Sequence, residues 1–171
     1  TVGEILIDNC NISKTRGVVR VQSDGAKGSI GSINIDNCVL TDIGSYGVLQ
    51  TKVSGFTLNS VSLSNSTVNT LSAGGVLVTQ QDNVHISIDA CTFYNCVATG
   101  KSFIDINKMS NVTVDVKNTI IGQLYSYTAE STIKATSVKG IATTTNLFTT
   151  TDCPYNSGYE WGEILSVSST E

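Results

Sequence analysis

The tetrapeptide IDNC occupies residues 7–10 and 35–38, and each copy presents a carboxylate, an amide and a thiol in succession. If equivalent residues stack, the carboxylates of Asp8 and Asp36 lie close enough to share a cation, and calcium prefers such oxygen ligands. Acidic side chains beside a turn are also commonly solvated surface groups. Asp8 and Asp36 are therefore a candidate calcium site, with plain surface acids as the alternative, and no other cofactor is expected.

The five cysteines are Cys10, Cys38, Cys91, Cys96 and Cys153. No CxxC motif occurs among them, so their spacing gives little support for a zinc site. Two interpretations stay open, namely small buried apolar side chains and one disulfide.

Catalysis on a sugar by general acid and base needs two carboxyl groups about 5 to 9.5 Å apart. The apolar runs at residues 17–22, 47–50, 75–80 and 102–107 predict strands whose outward residues would line a cleft. These residues are Arg20, Gln22, Val48, Gln50, Leu77, Thr79, Asp105 and Asn107. Arg20 and Asp105 would lie three coils apart, roughly 14 Å at one strand spacing per coil. His85 has no partnered nucleophile, so no catalytic residue is predicted.

Aromatic residues are scarce at 6%, and four tyrosines and the one tryptophan occur late in the chain. They are Tyr125, Tyr127, Tyr155, Tyr159 and Trp161. Aromatic faces stack on sugar rings, so these residues are the candidate carbohydrate-binding set. The alternative is that they cover the exposed end of the last coil, and the two roles are compatible.

The elements that would position these residues come from an internal repeat. Its copies are ILIDNCNI, INIDNCVL, FTLNSVSL, ISIDACTF and VDVKNTII, beginning at Ile5, Ile33, Phe56, Ile86 and Val114. Alternating apolar residues indicate a strand with one buried face, and a shift of phase inside each copy indicates a corner. The corner residues would be Asn9, Asn37, Ser60, Ala90 and Asn118, preceded by Asp8, Asp36, Asn59, Asp89 and Lys117.

Asparagine tolerates left-handed backbone angles, so Asn9, Asn37 and Asn118 are predicted to form a hydrogen-bonded ladder, with Cys10, Cys38 and Cys91 stacked beside it. The fold class is all-β, a single-stranded parallel β-helix of about five to six coils with three short strands each. The coils are assigned to residues 1–144 and an irregular C-terminal cap to residues 145–171. An antiparallel sandwich explains the repeated pattern less well, and the consensus of a leucine-rich repeat is absent.

The chain resembles the right-handed pectate-lyase-like β-helix superfamily. The resemblance rests on the IDNC copies, FTLNSVSLSNST, IDACTFYNC, VKNTIIG at residues 116–122 and NLFTTTD. It is most similar to an uncharacterised β-helix family found in secreted or surface lipoproteins of gut bacteria. The resemblance implies a right-handed helix, an extracellular or periplasmic location, and a connection to plant or host glycans. It implies no proven activity.

The net charge of −4 and the pI near 4.9 argue against nucleic acid as a partner, and no apolar run is long enough to span a bilayer. Since a strand begins at once, we expect an upstream domain or a partner chain at the N-terminal end. The function expected is non-catalytic carbohydrate binding or presentation at the cell surface. Two alternatives stay open, a fragment of a polysaccharide lyase or glycoside hydrolase, and a structural stalk or adhesin.

Overall fold

The protein is a stack of parallel β-strands, seen in a computed structural model. The residues described are 1–22, 27–51, 55–71, 76–79, 81–94, 96, 104–105, 110–121, 138–139 and 147–151. Fourteen strands lie in this part of the chain, and it contains no helix. The prediction of an all-β fold built from stacked parallel coils is therefore confirmed.

One six-stranded parallel sheet forms the first side of the solenoid, which we call face A. Its order is β1 (Val2–Asp8), β3 (Gly28–Asp36), β5 (Phe56–Ser64), β8 (His85–Asp89), β11 (Thr113–Lys117) and β14 (Leu147–Thr151). The inward positions stack in register, as in the column Ile5, Ile33, Val61, Ile86 and Val114. Like residues thus lie on like because consecutive strands are hydrogen-bonded neighbours.

A second sheet supplies the other two sides, because β2 (Asn11–Val21) and β4 (Val39–Thr51) each bend midway. Face B contains residues 11–15 and 39–43 with β6 (Thr67–Leu71), β9 (Thr92–Tyr94) and β12 (Ile120–Ile121). Face C contains residues 17–21 and 47–51 with β7 (Leu77–Thr79), β10 (Ile104–Asp105) and β13 (Val138–Lys139). Three sides therefore enclose one core.

The corner between faces A and B is made by residues with left-handed backbone angles. These are Asn9, Asn37, Asn65, Ala90 and Asn118, with φ of 51°, 50°, 48°, 51° and 47°. The prediction of Ser60 at the third corner is wrong, because Ser60 pairs with Ser32 inside a strand. The third copy of the repeat begins at Val61, and FTLNSVSL is a second segment of the same phase pattern that lies five residues earlier.

The core is a continuous apolar column inside the three faces. Ile33, Ile35 and Leu40 of the second coil are fully buried, as are Leu58, Leu63, Ile86, Ile88 and Phe93. The equivalent side chains of the first coil, Ile5, Ile7 and Ile12, are only partly buried. Each coil thus depends on both neighbours to exclude water from its apolar side chains.

The segment predicted as an irregular cap begins with a regular strand. β14 extends face A by pairing in parallel with β11, so the prediction of irregular structure is wrong for residues 147–151. The segment NLFTTT is rich in residues that favour β-strands, so its sequence is also compatible with a strand. Residues 152–171 lie outside the described part of the chain.

Candidate functional site

The predicted metal pair lies on the outward surface of face A. Asp8 and Asp36 are one strand apart in register, and Asp36 Oδ1 accepts hydrogen bonds from Ser64 Oγ at 2.7 Å and Asn65 Nδ2 at 2.8 Å. The Ser64 bond, followed by the Asn65 bond, lowers the pKa of Asp36 below 3.8. Within the described ranges, no group of three or more His, Cys, Asp or Glu side chains could hold a metal ion.

The residues immediately before the corners form a column on face A, and its third member differs from the one predicted. Asp8, Asp36, Ser64, Asp89 and Lys117 follow one another in register. The prediction of Asn59 at this place is wrong for the same reason as Ser60, a shift of five residues. Ser64 already donates a hydrogen bond to Asp36 Oδ1, so this oxygen is less available as a ligand for a cation.

Cysteine, serine and threonine share one structural role immediately after the corner. Cys10, Cys38 and Cys91 each donate their thiol to the carbonyl two residues earlier, at 3.1, 3.0 and 3.2 Å. Ser66 and Thr119 do the same with hydroxyls at 2.6 and 2.7 Å. In return, Ser66 Oγ accepts from the Cys38 backbone N–H at 3.0 Å, and Thr119 Oγ1 accepts from that of Cys91 at 3.4 Å.

The thiols of this column are therefore structural donors. Burial is the largest cause that raises the pKa of Cys38, and it raises the pKa of Cys91 to about 11. No disulfide joins any two of Cys10, Cys38, Cys91 and Cys96. This finding excludes a disulfide among these four and leaves Cys153 outside the described residues.

The asparagine corners are linked along the stack by side-chain hydrogen bonds. Asn37 Nδ2 donates to Asn9 Oδ1 at 3.4 Å, whereas Asn65 and Asn118 each donate from Nδ2 to the aspartate before the preceding corner, Asp36 and Asp89, at 2.8 Å. A second ladder, which the sequence analysis missed, joins Asn111 Nδ2 to Asn83 Oδ1 at 3.0 Å. The signal for it in the sequence was an asparagine after a short polar residue, DN at residues 82–83 and SN at residues 110–111, at a spacing of 28 residues.

On face C, the backbone positions that follow one another in register are Arg20, Gln50, Val78 and Asp105. Val48 was predicted to point outward, but it is fully buried. Leu77 and Thr79 were also predicted to point outward, and this is wrong. Both are buried, and they pair with Leu49 and Thr51. The segments at residues 47–51 and 75–79 align without an insertion, and Val48, Leu49, Val76 and Leu77 are all buried, so simple alternation does not hold at the start of these strands. Arg20 and Asp105 are three strands apart, so this column offers no paired acid and base.

His85 also lies on face A, and it forms the only ion pair among the described residues. Its Nε2 is 3.6 Å from Asp115 Oδ2, and its side chain is 51% exposed. No nucleophile is shown to contact it. His85 is therefore a surface residue, as the sequence predicted.

An arginine and tyrosine cluster on the first two coils is the candidate site. β4 has two more residues than β2 between the bend and face C, since Thr15 pairs with Ile43 and Gly17 with Gly47. The extra length carries Tyr46 back over the preceding coil. Gly17 makes room for it, because a Cβ at Gly17 would lie only 2.8 Å from Tyr46 Cβ.

Two cations meet at the Tyr46 ring. The Arg20 guanidinium carbon is 3.6 Å from the ring centroid, and that of Arg16 is 5.6 Å away. Arg20 Nε also donates to Gln50 Oε1 at 3.1 Å. Arg16 and Arg20 are exposed, Tyr46 is half-buried, and Gln50 is only 8% exposed. We call these four residues the arginine–tyrosine patch.

From the sequence, Arg20 and Gln50 were predicted only as parts of a cleft, and no role was predicted for Arg16 or Tyr46. A usable signal was the run NISKTRGVVRV, which has three cations and no acid. The predicted sugar-binding residues Tyr125, Tyr127, Tyr155, Tyr159 and Trp161 lie outside the described residues.

The fold and this surface define a parallel β-solenoid with an exposed patch of planar polar and aromatic side chains. Comparison with protein-family models, curated proteins and solved structures found no match. Among the described residues, no helix is long and apolar enough to cross a membrane.

Proposed function

We propose that the protein is a non-catalytic carbohydrate-binding β-solenoid domain that acts outside the cytoplasm or at the cell surface. The observation that carries the proposal is the arginine–tyrosine patch, where an aromatic ring and hydrogen-bonding side chains converge on the surface of two adjacent coils. Ligand sites commonly combine an aromatic surface with a few fixed polar groups. The repeated motifs also support about five to six coils, and the resemblance to pectate-lyase-like proteins supports a right-handed helix.

The patch suits binding better than bond cleavage. Arg20 and Asp105 share a column but lie three strands apart. That separation, roughly 14 Å at one strand spacing per step, exceeds what a paired acid and base can use. A fragment of a lyase or hydrolase is the second candidate function, and only the resemblance supports it.

A panel of immobilised plant and host glycans tests the proposal directly. We expect the wild-type chain to bind at least one glycan, and Tyr46→Ala to weaken that binding because it removes the ring that aligns Arg20. His85→Ala is the matched control, since His85 is exposed on face A. Absence of binding to every glycan would favour a structural stalk instead.

An activity assay tests the alternative. The chain is incubated with polygalacturonate, with and without calcium, and unsaturated products are followed by absorbance. A calcium-dependent rate abolished by Arg20→Ala or Asp105→Ala would contradict a non-catalytic role.

The first coil supports the expectation of a protein partner. Ile5, Ile7 and Ile12 are only partly buried there, and the outer backbone edges of β1 and β2 carry no strand in the described sheets. A further coil or a partner chain stacked on this edge would bury these side chains and complete the hydrogen bonds.

A further inference from the structure

We infer that the arginine–tyrosine patch binds the anionic group, carboxylate or sulfate, of an acidic polysaccharide, and that it does so without calcium. This inference rests on the proposed function, because it names the class of glycan that the same patch recognises. Four observations on Arg16, Arg20, Tyr46 and Gln50 carry it.

The Arg20 guanidinium is held in place by neutral partners. The Tyr46 ring lies 3.6 Å below it and Gln50 Oε1 accepts its Nε–H. Gln50 is itself almost completely buried, so its amide is a fixed anchor. Holding a guanidinium before the ligand arrives reduces the side-chain entropy that binding would otherwise cost.

The end of the guanidinium remains available. A guanidinium has five N–H donors, and stacking with one Nε bond leaves the four terminal donors for a ligand. No carboxylate of the described residues lies within ion-pairing distance of Arg16 or Arg20, since the only such pair in that part of the chain is His85 with Asp115. Carboxylate and sulfate oxygens match the two-pronged geometry of these donors.

The second arginine adds to this preference. Arg16 lies against the same ring as Arg20, at 5.6 Å from its centroid. Two like charges near one ring repel each other, and an anion placed between them would relieve the repulsion. A neutral sugar would leave this repulsion in place.

The balance of charge differs between face A and β2 in a way that favours an anion at the patch. β2 contains Lys14, Arg16 and Arg20 and no acidic residue. The strands of face A carry one lysine, Lys117, and five acidic residues, which are Glu4, Asp8, Asp36, Asp89 and Asp115. An anionic chain is therefore repelled from face A and attracted to β2, over a distance limited by screening to about 10 Å at 0.1 M salt.

Matched pairs of polysaccharides provide the test. Dextran sulfate is compared with dextran, and polygalacturonate with its fully methyl-esterified form, by affinity electrophoresis and calorimetry in EDTA. We expect each acidic chain to bind about tenfold or more tighter than its neutral counterpart, as for a charged hydrogen bond gained. The sulfate and uronate pairs distinguish the two sources of the anion. The affinity should fall as salt is raised.

Variants locate the binding. Arg20→Gln should lower the affinity for the acidic chain about tenfold, and Arg16→Gln should lower it by a smaller factor. Lys117→Gln, which removes an exposed cation on face A, should leave the affinity unchanged. Circular dichroism and thermal unfolding check that each variant folds.

The outcomes separate this inference from the proposed function. Equal affinity for acidic and neutral chains, still weakened by Tyr46→Ala, would overturn the anion preference and keep carbohydrate binding. An equal loss in Lys117→Gln and Arg20→Gln would overturn the site and indicate nonspecific attraction. Failure to bind any polysaccharide would overturn both, and the patch would then be only a brace between two coils.

Discussion

At the scale of single residues, the position after the corner requires a small side chain that can both donate and accept a hydrogen bond. Cysteine, serine and threonine all meet this requirement, which explains why Cys38, Ser66 and Thr119 are equivalent. Ser66 and Thr119 are almost completely buried. The backbone groups they serve would have no access to water if the side chain were removed.

Ser66→Ala should therefore destabilise the protein. The substitution leaves the Cys38 N–H without its acceptor in a buried place, which costs about 1–3 kcal/mol. Ser66→Cys is the matched control, because cysteine occupies this position in other coils, and we expect a smaller loss. Urea denaturation measures both. Equal losses would show that packing alone decides the effect.

Asp36 should make stability depend on pH. Its hydrogen bonds to Ser64 and Asn65 hold its pKa in the folded protein below 3.8. A lowered folded pKa means that the stabilisation is present above the unfolded pKa and is lost as pH falls below it through the folded value.

The measurement is the urea midpoint of wild type and Asp36→Asn between pH 6 and pH 2. The two midpoints should differ at pH 6 and converge as the pH falls through about 4 and below. A difference that stays constant over this range would contradict the assignment. Asp8→Asn, which removes the neighbouring acid, serves as the comparison.

At the scale of elements, the corners fix where each strand ends. The φ values near 50° place these residues in the left-handed region, which asparagine tolerates and alanine does not. Ala90 is the exception, and it has no side-chain amide at the position that asparagine occupies in the other coils. The corner at Ala90 is therefore the one with backbone strain that a substitution can remove.

Ala90→Asn should stabilise the protein. Relief of the left-handed strain contributes up to about 1 kcal/mol, and the new amide lies in the ladder column. Ala90→Gly relieves the strain without supplying an amide, so it should stabilise less. Thermal unfolding of the three proteins tests this order. A lower melting temperature for Ala90→Asn than for wild type would contradict the interpretation.

Sequence pattern predicted the elements well where both periodicity and letters repeat. IDNC and IDAC located three corners because alternation sets the face, and asparagine marks the turn in the two IDNC copies. The pattern misplaced the third corner, since FTLNSVSL and VSLSNSTV have the same apolar spacing. Only pairing with Asp36 and Ile33 distinguishes them, and pairing depends on residues 28 positions away.

At the scale of the whole molecule, the solenoid is stabilised from coil to coil. Ile35 in the second coil is fully buried, whereas Ile7, its partner in register, is only partly buried. Apolar burial stabilises roughly in proportion to the area removed from water. Stability should therefore increase from the first coil toward the interior of the stack.

Ile35→Ala should cost about 2–5 kcal/mol, and Ile7→Ala should cost about half as much or less. The two substitutions remove the same atoms, so they control for each other. Urea denaturation gives the free energies, and light scattering gives the mass. If the two substitutions lower the free energy of unfolding equally and the protein is a dimer, a second copy covers the first coil. If they lower it equally and the protein is a monomer, the proposed gradient of burial is wrong.

The amino-acid sequence by itself determined that the chain forms stacked parallel strands with asparagine corners. Alternation has a period of two and each corner is a local choice of backbone angle, so a few neighbouring residues suffice to specify them. Only the tertiary structure decided that Tyr46 lies under Arg20. That contact depends on two extra residues in β4, on the absent side chain of Gly17 and on strand pairing across a full coil.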